Sequence, residues 1–178
     1  MKKCIILLIS ILFFLSCSDF LDKVPLNSPS DKTFLANETE IEMALTGCYT
    51  PLWFAFEGMP FYLAFEELSD NGWDRNTNDL QKLSQGANDA QSTFVKDVWT
   101  TCYSGISRCN FLLNNIDQAQ SVNSEVIAQS KAEAQFLRAY YYHYLIDLYG
   151  DVPLFLETLT LKAADAPRAP KEEVLNQI

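Results

Sequence analysis

The sequence predicts an all-α fold, and three observations support that class. Apolar residues recur at helical spacing in three segments, residues 37–52, 93–116 and 124–149. Polar or proline-containing connections separate these segments, and we find no convincing strand pattern. Hydrophobic residues make up 48% of the 178 residues and charged residues 20%, so the chain has enough apolar material for a core. We therefore expect one folded helical domain.

The first predicted helix begins after Asn37, a typical N-cap residue. Glu40 stands three residues later and can reach back to a free backbone N–H of the first turn, as in a capping box. The apolar residues that follow at helical spacing are Ile41, Leu45, Cys48, Tyr49 and Leu52. Pro51 should end or kink this helix.

Two longer helices follow, and we expect them to pack as an antiparallel pair. The second covers about residues 93–116, and its apolar stripe is Val95, Trp99, Cys102, Tyr103, Ile106, Cys109, Leu113 and Ile116. The third runs from near Ser124 to Tyr149, with Leu137, Tyr141, Tyr144, Leu145 and Leu148 facing inward. Gly150 is a natural C-terminal cap, and Pro153 prevents continuation. The polar turn at residues 117–123 is short enough to bring the two helices side by side.

A fourth helix is predicted to start at Pro170, a residue that suits the first turn. Val174, Leu175 and Ile178 begin an apolar stripe, but just over two turns are present. So short a helix is marginal alone. We therefore expect the sequence to be the N-terminal part of a longer protein.

The N-terminus predicts export and a lipid anchor. Lys2 and Lys3 precede an uncharged apolar run that is shorter than the about 20 residues of a membrane-spanning helix. The run ends in Ser16-Cys17, and a small residue followed by Cys at that place is typical of a bacterial lipobox. We expect cleavage of a signal peptide at residues 1–16 and a diacylglycerol on Cys17. The alternative is ordinary secretion with a chance cysteine.

Residues 17–36 predict an extended tether, since they include Pro25 and Pro29 among small polar residues. Residues 37–178 then form the folded body. The chain has a net charge of −10, so anionic lipid would repel the folded body. We therefore expect this body to lie away from the bilayer surface. The same charge, without any cluster of Lys and Arg, argues against nucleic acid as a partner.

The cysteines give no evidence for a metal site or a local disulfide. Cys102 and Cys109 share one helix face but lie about 10.5 Å apart along its axis, beyond disulfide reach. Either could in principle reach Cys48, although buried thiols are the favoured interpretation. With one His and no Cys-x-x-Cys pair, a zinc site has no support.

Two groups of residues resemble catalytic arrangements only superficially. The carboxylates of Glu66, Glu67 and Asp70 could imitate a glycosidase pair, but nothing in the sequence places two of them across a cleft, and a solvated acidic surface is the favoured interpretation. His143 and Asp147 share a helix face without a nucleophile beside them, which favours a scaffold role. We predict no catalytic residue, no metal and no cofactor.

The segment from Ser69 to Asp79 is the best candidate for ligand binding. Trp73 can stack on a sugar ring, and Asn71 and Arg75 can hydrogen-bond to hydroxyl groups, all within a turn-rich loop. The alternatives are a loop that packs Trp73 on the body or contacts a protein partner. Trp99 with Tyr103, and the aromatic residues 140–144, are interpreted as core, and Asn110 as a structural polar residue.

Several motifs together resemble the N-terminal region of the SusD/RagB family. They are residues 17–22 (CSDFLD) with Pro25, Thr33-Phe34, and Gly47-Cys48-Tyr49. The most telling stretches are residues 132–142 (AEAQFLRAYYY) and 148–154 (LYGDVPL). Arg168 and the start of the fourth helix fit as well, although Ala169 replaces the Ser or Thr that is frequent there. The resemblance covers essentially the whole chain, but only about the first third of a typical member.

This resemblance implies an all-α, tetratricopeptide-like helix-pair scaffold, truncated at its C-terminus. It also implies a lipoprotein anchored through Cys17 on the outer face of the outer membrane. Such proteins capture oligosaccharides, or peptides in some branches, as a lid over a SusC-like TonB-dependent transporter, and they are not enzymes. Glu133 and Arg138 in the family motif are expected to be architectural. The competing hypotheses are a helical lipoprotein that serves only as a protein-interaction scaffold and, third, a surface glycosidase.

Overall fold

A computed structural model describes residues 34–53, 55–56, 59–60, 65–72, 79–87, 91–158 and 165–178. Its helices are α1 (Glu38–Tyr49), α2 (Asp79–Ser84), α3 (Thr93–Asn115), α4 (Ser124–Tyr149) and α5 (Lys171–Gln177). Short 3₁₀ turns cover Thr50–Trp53 and Ile116–Gln118. The strands β1 (Ala55–Phe56) and β2 (Met59–Pro60) form a two-residue antiparallel hairpin that no sequence pattern indicated. The all-α class is confirmed.

The predicted signal peptide and most of the predicted tether lie outside the described residues. Leu35–Ile178 forms a compact unit of its own, which contains every helix named above. The boundary between residues 36 and 37 remains a prediction. No described helix is both long enough and apolar enough to cross a membrane.

The centre of this unit is the pair formed by α3 and α4, which run antiparallel as predicted. Tyr149 at the end of α4 donates a hydrogen bond to the carbonyl of Val95 at the start of α3 (2.5 Å). At the opposite end, Lys131 of α4 pairs with Asp117, just beyond α3 (2.7 Å). With 26 residues, α4 is about 39 Å long.

Helix α1 packs across this pair at a point where α3 has no side chain. Gly105 lets the Tyr141 ring of α4 lie directly against the α3 backbone. The Tyr141 hydroxyl then donates to the carbonyl of Cys48 at the end of α1 (2.6 Å). Burial raises the pKa of Tyr141, so it remains a neutral donor. One tyrosine therefore connects three helices.

The predicted helix ends are confirmed at their caps. The Asn37 side chain accepts from the N–H of Glu40 (3.0 Å), and the Glu40 carboxylate accepts from Ala36, one residue before the N-cap (2.7 Å). Gly150 caps α4 with φ 70°, a left-handed conformation that favours glycine.

The cap of α5 comes from elsewhere in the chain. Ala169 and Pro170 provide no side-chain cap, and instead Asp151 accepts from the N–H of Lys171 (2.9 Å). Backbone hydrogen bonds between Val152 and Ala169 hold the two segments together (2.9 and 3.2 Å). A carboxylate at a helix N-terminus also complements the helix dipole.

The inward-facing sets were partly wrong. Tyr49 and Leu52 are exposed because α1 buries a single narrow face, at Ile41 and Cys48, before the 3₁₀ turn redirects the chain. Leu148 and Tyr140 of α4 are also exposed. The predicted stripe of α3 is buried at Cys102, Ile106 and Cys109, and at Ile116 just beyond the helix. Its other members are half-buried, namely Val95, Trp99, Tyr103 and Leu113. The remaining buried positions of α3 are Phe94, Val98, Gly105, Asn110 and Leu112.

The buried cysteines behave as the sequence analysis favoured. Cys48, Cys102 and Cys109 are free and buried. Burial raises the pKa of Cys102 to about 12, so its thiol stays protonated at neutral pH.

Candidate functional site

Of the three predicted ligand-binding residues, the structure describes Asn71, while Trp73 and Arg75 lie outside the described residues. Asn71 is exposed in a tight turn, where its N–H donates to Ser69 Oγ (3.1 Å). Ser69 in turn donates to the carbonyl of Glu66 (2.7 Å). A Cβ at Gly72 would lie 2.8 Å from the same carbonyl oxygen, so the turn requires glycine. The chain is therefore sharply bent immediately before residue 73.

The far end of the candidate segment is fixed by Asp79, which the sequence analysis counted as part of the loop. Asp79 instead begins α2, and its Oδ2 accepts four hydrogen bonds at the start of α3 (2.5 to 3.2 Å). The donors are Ser92 Oγ, Thr93 Oγ1 and the N–H groups of Thr93 and Phe94. The side chain acts as a helix cap supplied from another element. Leu80 beside it is buried, which places α2 on the core.

This environment predicts a pH-dependent contribution of Asp79 to stability. Partial burial raises its pKa, but the hydrogen bonds from Thr93, Phe94 and Ser92 outweigh that effect and hold the pKa below its usual value. The stabilisation is therefore complete above the usual carboxyl pKa of about 4 and is lost as the pH falls through the lower folded-state value. We expect Asp79→Ala to lower the free energy of unfolding by about 1 kcal/mol at pH 7.

Urea denaturation of wild type and Asp79→Ala between pH 7 and pH 3 would measure this contribution. The difference between them should shrink below about pH 4. Asp70→Ala, which removes an exposed carboxylate nearby, should change stability by less than about 0.5 kcal/mol. A constant difference across this pH range would contradict the capping role.

The residues considered for catalysis have other contacts or lie at the surface. Asp147 pairs with Lys171 of α5 (3.4 Å) rather than orienting a base. His143 is exposed, and its ring lies 6.1 Å from that of Tyr144. Glu66 and Asp70 are exposed, as expected of a solvated acidic surface. That interpretation was wrong for Glu67, which is half-buried with its Oε2 atom shielded from solvent.

Trp99 and Tyr103 form a packed aromatic cluster, not a free stacking platform. The Trp99 ring centroid lies 4.9 Å from that of Tyr103 and 5.1 Å from that of Tyr149. The guanidinium of Arg168 lies over Trp99, 5.4 Å from its centroid, and Tyr103 donates to the carbonyl of Pro153 (2.7 Å). These rings hold the segment after α4 against α3.

A buried polar network explains the motif residues Asn110 and Arg138. Asn110 is 0% exposed, and its amide group donates to the carbonyls of Phe155 and Glu157 (both 2.9 Å). Its amide oxygen accepts from Arg138 (2.9 Å). Glu133 accepts from the hydroxyl of Tyr49, linking α4 to α1 (3.2 Å). All these contacts are architectural, as the sequence analysis expected.

Comparison with known proteins gives the classification. A family model described as "SusD-like_3: Starch-binding associating with outer membrane" matches residues 19–178. The chain belongs to the SusD-like family. A curated relative, SusD-like protein P25 of Formosa agariphila, is 30% identical over 161 residues, which are 83% of this chain and 30% of the relative. The chain therefore spans about a third of the length of such relatives.

Solved structures of the SusD-like type have the same fold as this chain. A SusD-like carbohydrate-binding protein from Bacteroides fragilis matches with a TM-score of 0.70 and 33% identity, over 81% of this chain and 30% of that one. A surface glycan-binding protein A from Bacteroides fluxus matches with a TM-score of 0.67 and 27% identity, over 79% and 31%. The α3–α4 pair is thus part of a SusD-like, tetratricopeptide-like scaffold. At the family level, SusD-like proteins are carbohydrate-binding, outer-membrane lipoproteins and not enzymes.

The sequence analysis did not consider Trp53 as a binding residue. It is 89% exposed in the 3₁₀ turn after α1. The signal was present in the sequence, because Pro51 ends the helix and residues beyond it need not continue the buried stripe.

Proposed function

We propose that this SusD-like chain captures an oligosaccharide at the cell surface and delivers it to a SusC-like TonB-dependent transporter. The observation that carries the proposal is the family match over residues 19–178. Lipidation at Cys17 would hold the protein on the outer face of the outer membrane. Peptide capture, or a role only as a protein-interaction scaffold, are the alternative functions.

The geometry around the candidate segment supports a ligand-binding role for Trp73, Asn71 and Arg75. The tight turn that contains Asn71 and Gly72 defines the chain immediately before Trp73, and Asp79 fixes the chain to α3 beyond Arg75. A recognition loop with both ends held on a rigid scaffold loses less conformational entropy when it binds. The residue types in between match the apolar faces and hydroxyl groups of a sugar.

Titration calorimetry of the purified chain with a panel of oligosaccharides, beginning with malto-oligosaccharides, tests the proposal. We expect binding without hydrolysis, and a loss of about tenfold in affinity for Trp73→Ala because a stacking surface is removed. Gln85→Ala, an exposed position beyond α2, is the control and should bind like wild type.

The alternatives give different results in the same experiment. Binding of peptides but no glycan would favour the peptide-binding branch of the family. Co-purification with a transporter from detergent-solubilised membranes, with no ligand bound, would favour the scaffold role. Unchanged glycan affinity in Trp73→Ala would remove that residue from the site while leaving glycan capture intact.

A further inference from the structure

A groove of about 310 Å³ lies between the 3₁₀ turn Thr50–Trp53 and helix α3. Its lining residues are Thr50, Pro51, Trp53, Thr100, Thr101, Ser104 and Arg108. On α3 the lining positions 100, 104 and 108 are four residues apart, so they form one face of the helix. The volume is at the lower end of the roughly 300–1,000 Å³ range of small-molecule sites.

Trp53 offers this groove an open aromatic surface. It is 89% exposed, although tryptophan is a residue that folded proteins usually bury to a large extent. The position is defined by the chain, because Trp53 ends a 3₁₀ turn that contains Pro51 and directly follows α1. Its indole face can stack on the C–H face of a sugar ring, while its N–H can donate a hydrogen bond.

Two hydroxyl groups of the groove can act towards a ligand only as hydrogen-bond acceptors. Thr50 Oγ1 donates to the carbonyl of Thr46 (3.1 Å), and Thr100 Oγ1 donates to that of Lys96 (2.9 Å). Because each hydroxyl has a single hydrogen, these two oxygens face a ligand as acceptors. Thr101 and Ser104 add two further hydroxyl groups. Such a surface suits a ligand with many O–H donors.

Arg108 is the one charged residue among the seven that line the groove. Its guanidinium donates to the carbonyl of Gly47 (2.9 Å), which orients it, and no described carboxylate forms an ion pair with it. The remaining N–H groups of an arginine fork match the two oxygens of an anionic group. The chain as a whole has a net charge of −10, so this guanidinium places a positive charge on the surface of an acidic protein.

We propose that this groove binds one anionic sugar residue of a glycan, with Trp53 stacked on the ring and Arg108 paired with the carboxylate or sulfate. The proposal rests on the proposed function, since it names the class of glycan. It adds residues that the sequence analysis did not consider for ligand binding. The hydroxyl groups of Thr50 and Thr100 accept from the hydroxyls of the same sugar.

Three galactose-based probes test the proposal by titration calorimetry on the purified chain: oligogalacturonate, a sulfated galacto-oligosaccharide and a neutral galacto-oligosaccharide. We expect an anionic probe to bind at least tenfold more tightly than the neutral one, with affinity that falls as salt is added. Whichever anionic probe binds identifies the group as carboxylate or sulfate.

Three variants and two matched controls locate that binding. Trp53→Ala and Arg108→Gln should each weaken it about tenfold or more, and Arg108→Lys should lie in between because the fork is lost while the charge stays. Phe136→Ala removes another exposed aromatic side chain, and Lys96→Gln removes another exposed cation of α3. Both controls should bind like wild type, and all variants should have wild-type melting temperatures.

The outcomes separate this proposal from the proposed function. Binding of neutral glycans only would contradict the proposal that the groove binds an anionic sugar, and so would unchanged affinity for the anionic probe in Trp53→Ala and Arg108→Gln. Neither result would contradict the proposed capture of glycans. If no glycan in either panel binds, the proposed function fails, and this proposal fails with it.

Discussion

Replacing Asn110 by alanine is expected to lower the free energy of unfolding by about 3 kcal/mol. The Asn110 side chain of α3 is completely buried, and it faces the segment that follows α4. Alanine removes three hydrogen bonds at once, those with Phe155, Glu157 and Arg138. It also leaves polar groups without partners, and an unsatisfied buried group costs more than an average hydrogen bond contributes.

Urea denaturation followed by circular dichroism would measure this change. The matched control is Asn114→Ala, one turn further along α3, where an exposed asparagine makes a single hydrogen bond to Thr158 (3.3 Å). Its effect should stay below about 0.5 kcal/mol. Equal effects at the two positions would show that the buried network has no special importance for stability.

The sequence predicts well what depends on local chain geometry. Asn37, Gly150 and the polar turn at residues 117–123 act within one or two helical turns of themselves. The start of α1 and both ends of α3 and α4 were therefore correct within about a residue, whereas α1 ends at Tyr49, before the predicted stop at Pro51. The antiparallel pairing of α3 and α4 followed from the same short connection.

Contacts between segments that are distant in the sequence could not be predicted from local sequence patterns. Asp79 caps a helix that begins 14 residues later, and Asp151 caps one that begins 20 residues later. Helical periodicity identifies an apolar face, but not whether that face is covered. Tyr49 and Leu148 continue apolar stripes and are nevertheless exposed, while Tyr142 is buried because the residues around Phe155 cover the other side of α4.

The candidate binding residues also differ in whether local sequence or only tertiary packing reveals them. Residue types alone indicated Trp73, Asn71 and Arg75, since an aromatic ring and polar side chains in a loop are what a sugar needs. The groove at Trp53 escaped notice because its polar wall comes from α3, about fifty residues away along the chain. A site assembled from two elements becomes recognisable only when their packing is known.

Replacing Gly105 by alanine is expected to destabilise the domain by about 2 kcal/mol, although alanine is the better helix former. A Cβ at this position would lie 2.5 Å from Cζ of Tyr141, well inside van der Waals contact. The ring cannot easily turn away, because Tyr141 is 2% exposed and its hydroxyl is bound to the carbonyl of Cys48. Relief therefore requires separation of α3 from α4, with loss of packing along both.

Gly47→Ala is the matched control for this change, and it should have the opposite sign. Gly47 lies within α1, and a Cβ there would meet no atom within 4 Å. We expect a gain of up to about 1 kcal/mol from helix propensity alone. Thermal and urea unfolding of both variants measure the contrast. If both alanines stabilise the protein, the close approach of α3 and α4 at Gly105 does not hold the pair in register. If Gly105→Ala destabilises and Gly47→Ala stabilises, the absence of a side chain at Gly105 is what allows the two helices to pack this closely.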